Sequence, residues 1–557
     1  MGRVASVVIV LCSGCGALAA DDEPFGEVAQ ARSDYARGDA SSRRGLGESE
    51  RESIAEAVAA SLGQGLATGY SVAVWRAGHI IYREGFGVRD ELGSPVTPHT
   101  LFQIGSDTKK VTAIALLRQV DAGVLTLDDT VTEIVPELRL AAAPEQLSKT
   151  TVHDLLTHQS GLFDYSSWVD LPEDEGLRAV MLGAFASNEV ALMPPGLAFN
   201  YSNPAFSIAG FLNEVIEQRP WADIVQSEVF DPLGMFHTYA RRDDMLARES
   251  DMAGAEGVNV RWVDPFDPDA ANVPPISGWI PPEAEIDNAF TRPAGLVWST
   301  ASDQVKLMGF LLDGDPELLS DELRQAMMTP HAPLINHLET QGYGYGLFVQ
   351  SALAAPDGTG VYDVPLVYHG GNTQTMTSAS TMLPEQRVAV SVLANGANEN
   401  LTLVTAAALA AAAGGALPPV SPPPPGLDPP AADLASYAGT FTDPSLGEVR
   451  LAFDGAQMTV EVPLLDQFAI DYGSVLEPVA LDLFLWSLQG AVYPISFYDS
   501  EDGTRHAYGV NRLFVWTRVS ETEPVVPCWA CSNSLQQLRL DDLIHARRVL
   551  TEPGPAE

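Results

Sequence analysis

Residues Leu101 to Leu117 read "LFQIGSDTKKVTAIALL". The apolar spacing from Val111 onward predicts a helix. That helix opens on Gly105-Ser106, with Lys109 one turn further on. Side chains at i and i+3 of a helix share one face. A serine hydroxyl is a poor nucleophile at neutral pH and needs a neighbour that accepts its proton. A desolvated lysine does this once burial and nearby positive charge pull its pKa down. The helix N-terminus adds partial positive charge and free backbone N–H groups. Alone, the pair also fits a helix cap followed by a solvated lysine.

Two more segments extend the chemistry. "FNYSNPAF" puts Tyr201-Ser202-Asn203 at the start of a helix, after the turn signal "MPPG". A tyrosine shuttles a proton when cations depress its pKa, and an asparagine hydrogen-bonds an amide carbonyl. "VYHGGNTQ" carries His369-Gly370-Gly371 behind a strand. Its glycines let a substrate lie against the backbone as an added strand.

Outward from these motifs, "YSVAVWRAGHIIYREGFGVRD" shows two β-rich runs split at Ala77-Gly78, a hairpin signal. "VHDLLTH" and "NPAFSIAGFLNEVIE" read as helices, and "AGLVWSTASDQVKLMGFLL" as strand, turn and helix capped by Thr300 or Ser302. "YGYGLFV", "VYHGG" and "SASTMLPEQRVAVSVLANG" are further strands. Terminal strands around a helical middle predict an α+β fold: an antiparallel sheet flanked by helices, with an inserted helical region. "LTLVTAAALAAAA" is an Ala-rich helix, too short and too weakly apolar to span a membrane, and is expected to pack on the sheet. Residues 414–431 are too proline-rich for helix or sheet and predict a stiff linker. The short strands beyond it, among them "NRLFVWTRV", predict a small C-terminal β domain over 432–520, followed by a tail over 521–557.

The chain has 557 residues, enough for two or three units. A hydrophobic share of 46% supports a large core. Lys and Arg number 31 against 73 Asp and Glu, a formal charge of −42. That excludes nucleic acid as a partner, because phosphate binding needs clustered cations. The start, "MGRVASVVIVLCSGCGALAA", reads as an export signal over 1–20 with two processing routes. One is a lipoprotein signal ending at a lipid anchor on Cys15; the other is ordinary cleavage after "ALAA". Residues 21–52 read as a flexible tether. The expected location is the periplasm, free or as a membrane-anchored lipoprotein. Cys528 and Cys531 form one CxxC, which without a second pair points to a local disulfide, or to no role, rather than zinc. "DPFDPDAAN" over 264–272 lacks the Gly and Glu of a calcium loop. His153 and His158 read as structural.

The motifs agree in order and spacing. The chain over 53–413 resembles the serine β-lactamase and penicillin-binding-protein superfamily, nearest its class C β-lactamase, D-alanyl-D-alanine carboxypeptidase and esterase branch. The C-terminal β domain resembles the small lipocalin-like barrel appended to such hydrolases. The resemblance implies Ser106 as the acylated nucleophile and Lys109 as its proton acceptor. It implies Tyr201 as the relay to the leaving group and Asn203 as a ligand of the substrate carbonyl. His369, Gly371 and Asn372 would bind substrate, with the Ser106 and Asn372 N–H groups as an oxyanion hole worth about 3 kcal/mol per donor. The implied reaction is two-step acyl transfer to water on a small-molecule, peptide or ester substrate, with no metal and no cofactor. His369 stands where a true class C β-lactamase has lysine, which points to a peptidase or esterase rather than an efficient penicillinase. The alternatives are a weak β-lactamase and a catalytically silent binding scaffold.

Overall fold

The computed structural model describes residues 12–13 and 45–519, except 63, 66, 165–169, 260–275, 337–340, 356–359, 415–416, 422–432 and 513. The remainder of the export signal, most of the tether, the acidic 264–272 segment, Cys528, Cys531 and the tail lie outside the described residues.

The hairpin signal at Ala77-Gly78 has a direct physical basis. Both residues take positive φ, 46° and 92°, the backbone that a tight two-residue turn requires. The turn joins β1 (Gly69–Arg76) to β2 (His79–Gly87). These N-terminal strands pair with strands from far along the chain: β3 (Ala332–Pro333), β4 (Gln341–Tyr343), β5 (Phe348–Gln350), β6 (Leu366–Asn372), β7 (Thr377–Leu383) and β8 (Val388–Ala394). The sheet has eight antiparallel strands in the order β2-β1-β8-β7-β6-β5-β4-β3. Strands β7 and β8 are buried throughout, because helices cover one face and the helical middle of the chain covers the other.

On the first face lie α1 (Glu48–Ser61), α5 (Ala301–Asp313) and α6 (Thr402–Ala413). Thr300 caps α5 by accepting from the Asp303 N–H, so the cap is Thr300 and not Ser302. The Ala-rich α6 packs against α1 and β8. Among the described residues, no helix is long and apolar enough to cross a membrane. On the other face, α2 (Lys109–Asp121) packs against α3 (Asn203–Glu217) and the short α4 (Arg292–Gly295). The "VHDLLTH" helix is one turn long, Val152–Leu156, because His158 turns to φ 58° and ends it.

Part of the proline-rich linker is pinned: Ser421 and Val361 exchange backbone hydrogen bonds. The C-terminal strands close into an eight-stranded barrel over Gly439–Arg518. It has its own core, in which Trp486 and Trp516 meet edge to face at 5.4 Å. The expected α+β fold with a small barrel-like C-terminal domain is what the chain forms.

Candidate active site

Ser106 does not begin the α-helix directly. It sits in a single tight turn, Gly105–Thr108, that runs straight into α2. Gly105 takes φ 53°, and a side chain there would meet the Asn372 N at 2.6 Å. From the other side, a Cβ on Gly371 would fall 1.9 Å from the Ile104 carbonyl oxygen and 2.6 Å from the Ser106 N. Two glycines thus let the serine turn and the end of β6 press backbone to backbone. The Ser378 hydroxyl on β7 donates to Ile104 O at 2.7 Å and fastens the turn to the sheet. Beneath it, buried Asp107 pairs with buried Lys110 and accepts from the Ser380 hydroxyl, which ties the start of α2 to β7.

Lys109 is fully buried. Its Nζ lies 3.1 Å from Ser106 Oγ, 2.6 Å from Asn203 Oδ1 and 2.8 Å from Ala294 O. Burial holds its pKa well below the usual lysine value; Asp164 pulls it back up and Arg512 pushes it further down. Taking an ammonium out of water costs several kcal/mol. The nearby carboxylate is engaged elsewhere: Asp164 Oδ1 accepts from the Asn203 backbone N–H at 2.8 Å and from its Nδ2 at 3.0 Å. A neutral amine has two hydrogens and one lone pair. The carbonyl oxygens of Asn203 and Ala294 can only accept, so they take the two hydrogens. The lone pair is left facing the Ser106 hydroxyl. This is the geometry of a base waiting for a proton.

Each of the two carbonyls has its own support. Asp164 turns the Asn203 amide so that its oxygen faces Lys109. Ala294 lies in α4, whose Arg292 is buried between Asp287 and Asp174, at 2.7 and 2.8 Å. Tyr201 is buried, and Lys109 Nζ lies 4.7 Å from its ring centre. Burial raises its pKa, while Arg512 and the nearby Ser106 hydroxyl pull it down. Its phenol oxygen has no aligned hydrogen-bond partner among the described residues. His158 lies under that ring, centroids 4.1 Å apart, and its Nδ1 accepts from the Ser202 N–H at 3.1 Å. It thereby shapes the Tyr201–Asn203 turn from behind.

His369 is buried on β6, its ring 6.4 Å from that of Tyr201. Its Nδ1 faces Gly370 O at 2.6 Å and its Nε2 faces the Tyr343 hydroxyl at 3.0 Å. A carbonyl only accepts, so Nδ1 carries the hydrogen and Nε2 accepts from Tyr343. Burial lowers its pKa well below the usual histidine value. The ring is neutral, and both its nitrogens are occupied.

Ser106, Lys109, Tyr201, Asn203, His369, Gly371 and Asn372 therefore surround one site. Sequence reasoning had not singled out Asp164, the Ala294 carbonyl, Tyr343 or Arg512. Asp164 stands in "GLFDY", with nothing local to mark it. The Beta-lactamase family model matches residues 54–415, which hold every one of these residues except Arg512.

The chain belongs to the beta-lactamase family.

That family comprises serine hydrolases acting on amide and ester bonds. Esterase EstB of Burkholderia gladioli is 35% identical over 180 residues, 29% of this chain and 44% of EstB. The match thus spans less than half of that relative's length. Penicillin-binding protein 4 of Amycolatopsis lactamdurans is 27% identical over 313 residues, 55% of this chain and 74% of that one. Among solved structures, SurE superposes with a TM-score of 0.60 at 23% identity, covering 85% of this chain and 99% of SurE. That likeness is one of fold.

Proposed function

We propose that this beta-lactamase-family chain is an exported hydrolase that cleaves a D-alanyl-type peptide or an ester through a Ser106 acyl-enzyme. The observation that carries the reading is the Lys109 amine, held by two carbonyl acceptors 2.6 and 2.8 Å away with its lone pair toward Ser106 Oγ. In the first step the Ser106 proton passes to Lys109 Nζ and Oγ bonds to the substrate carbonyl carbon. The carbonyl electrons move onto oxygen, beside the Ser106 and Asn372 amides. When the tetrahedral carbon collapses, the bond to the leaving group breaks; Tyr201 gives its proton to the leaving atom and is reprotonated from Lys109, which returns to the free amine. Water then repeats the sequence on the ester, releasing the acid and free Ser106. The neutral His369 offers no cation in the third motif, which favours a peptidase or esterase over a penicillinase. Export rests on the short basic start and the apolar run before Cys12 and Cys15.

The test is labelling by a fluorophosphonate, followed by p-nitrophenyl esters, nitrocefin and D-Ala-D-Ala peptides assayed side by side. Wild type is expected to label and to turn over esters or peptides faster than nitrocefin. Labelling no stronger than that of Ser106→Ala would instead make the chain a silent scaffold.

A further inference from the structure

Three stretches of chain converge just ahead of the nucleophile, and a buried carboxyl joins two of them. The first stretch is 285–287. Arg242 Nη1 donates to Glu285 O at 2.7 Å, and the Gln103 side chain donates to Ile286 O at 2.9 Å. The Asp287–Arg292 ion pair then leads to α4, whose Ala294 carbonyl accepts from Lys109. The second is Gln103 itself, three residues before Ser106, whose backbone N–H donates to Met376 Sδ at 3.2 Å. The third is the turn 373–376 between β6 and β7, which begins directly after Asn372.

This turn decides where the Asn372 N–H points. Residue pairs in an antiparallel ladder alternate between hydrogen-bonded and non-hydrogen-bonded. The Thr373 N–H donates to Met376 O at 2.8 Å, so the next pair, Asn372 with Thr377, is of the other kind. The Asn372 N–H therefore turns away from β7 and toward the serine turn. The pairing that sets this alternation is held by side chains. Thr373 Oγ1 accepts from the Met376 and Thr375 N–H groups at 3.0 and 3.3 Å. Thr375 in turn gives its hydroxyl hydrogen to Glu285 Oε1 at 2.6 Å. Both Thr375 and Glu285 are buried. Burying a carboxyl costs stability, and an apolar side chain would fill the same space without that cost. An apolar side chain could not accept from Thr375, whereas a carboxyl oxygen does so ionised or neutral.

We infer that Glu285 is a positioning residue of the oxyanion hole: through Thr375 it fixes the 373–376 turn and keeps the Asn372 N–H aimed beside that of Ser106. This rests on the acyl-enzyme reading above and deepens it. A merely structural carboxyl would support turnover of every substrate alike. A carboxyl that aims one amide is felt where that amide has an oxygen to bind.

The experiment uses the full chain and two esters, p-nitrophenyl acetate and its thiono analogue, in which sulfur replaces the carbonyl oxygen. Both release nitrophenolate, and sulfur is a weak acceptor for the two amides. Wild type is expected to acylate faster with the oxygen ester. Glu285→Leu and Thr375→Val are each expected to lower the oxygen-to-sulfur rate ratio roughly 10-fold, through kcat rather than KM. Glu285→Gln keeps an acceptor for Thr375 and should retain most of the ratio. The double variant Glu285→Leu, Thr375→Val should lose no more than either single one, because the two residues form one link. If Glu285→Leu fails to fold, Thr375→Val reads the same link. An unchanged ratio, equal losses on both esters, or a Glu285→Gln as impaired as Glu285→Leu would overturn the inference. So would a moved Lys109 acidic limb in Glu285→Leu, since the segment would then act on the amine through α4. Fluorophosphonate separates the two layers. If wild-type Ser106 labels and the ratio does not respond, the assignment of Glu285 falls and the acyl-enzyme stands. If Ser106 fails to label, both fall.

Discussion

At the scale of single residues, the site depends on keeping one amine neutral. Lys109→Ala removes the proton acceptor and is expected to cut acylation about 1,000-fold or more, with the fold intact, measured as the burst rate on a p-nitrophenyl ester. Near-normal bursts would remove lysine from the mechanism. The pH profile tests the same point from the other side. Acylation needs the free amine, so the rate should fall as pH drops through the depressed Lys109 pKa and level off above it. Asp164 raises that pKa. Asp164→Asn keeps an oxygen for the Asn203 donors but removes the charge, so the acidic limb should move to lower pH; a shift upward would contradict the role given to Asp164. Ser106 and Lys109 were legible because both lie on one helical turn. Asp164 was not, because its partner Asn203 lies 39 positions away and only the fold brings them together.

At the scale of elements, backbone contact governs more than side-chain pattern does. The hairpin at Ala77-Gly78, the strand before His369 and the helix after Ser202 followed from local signals, since turn residues and apolar period act within a few positions. The shortness of the Val152–Leu156 helix did not, since its end is set by His158 reaching to Ser202. A second non-local contact braces the loop between β6 and β7. Glu285 is fully buried, and its carboxyl accepts from the Thr375 hydroxyl at 2.6 Å. Burial pushes its pKa up to about 7. A raised carboxyl pKa means the neutral form is the one the fold accepts. Its contribution is therefore complete below the ordinary glutamate value of about 4.5 and is lost as pH rises to about 7. Glu285→Gln should thus gain stability relative to wild type between pH 5 and pH 8, by on the order of 3 kcal/mol. Denaturant titrations at the two pH values check this, and a parallel loss in both proteins would show that Glu285 is not the titrating group.

At the scale of the whole molecule, two cores meet along one seam, and the candidate pocket uses both. The proline-rich stretch marks the expected division, since such a composition sustains no regular element. That the barrel returns to the catalytic face was not legible, because "NRLFVWTRV" reads only as a strand with a charged residue at its start. Among the described residues, the apolar part of the seam is Met193, Ala198, Val510 and Val515, with Leu192, Leu197, Tyr498 and Tyr508 packed against them. Each unit has its own buried core. Val510→Asp places an unpaired carboxylate in the seam, at a cost of several kcal/mol while the units stay docked. Undocking hydrates the charge, so the strain should appear as separation of the units. Calorimetry is expected to resolve two transitions in the variant and a single one in wild type. In the same variant Ser106 should still react with fluorophosphonate, since Lys109, Asn203 and Ala294 all lie on the hydrolase side. A single unsplit transition would mean that the barrel is held by contacts other than this seam.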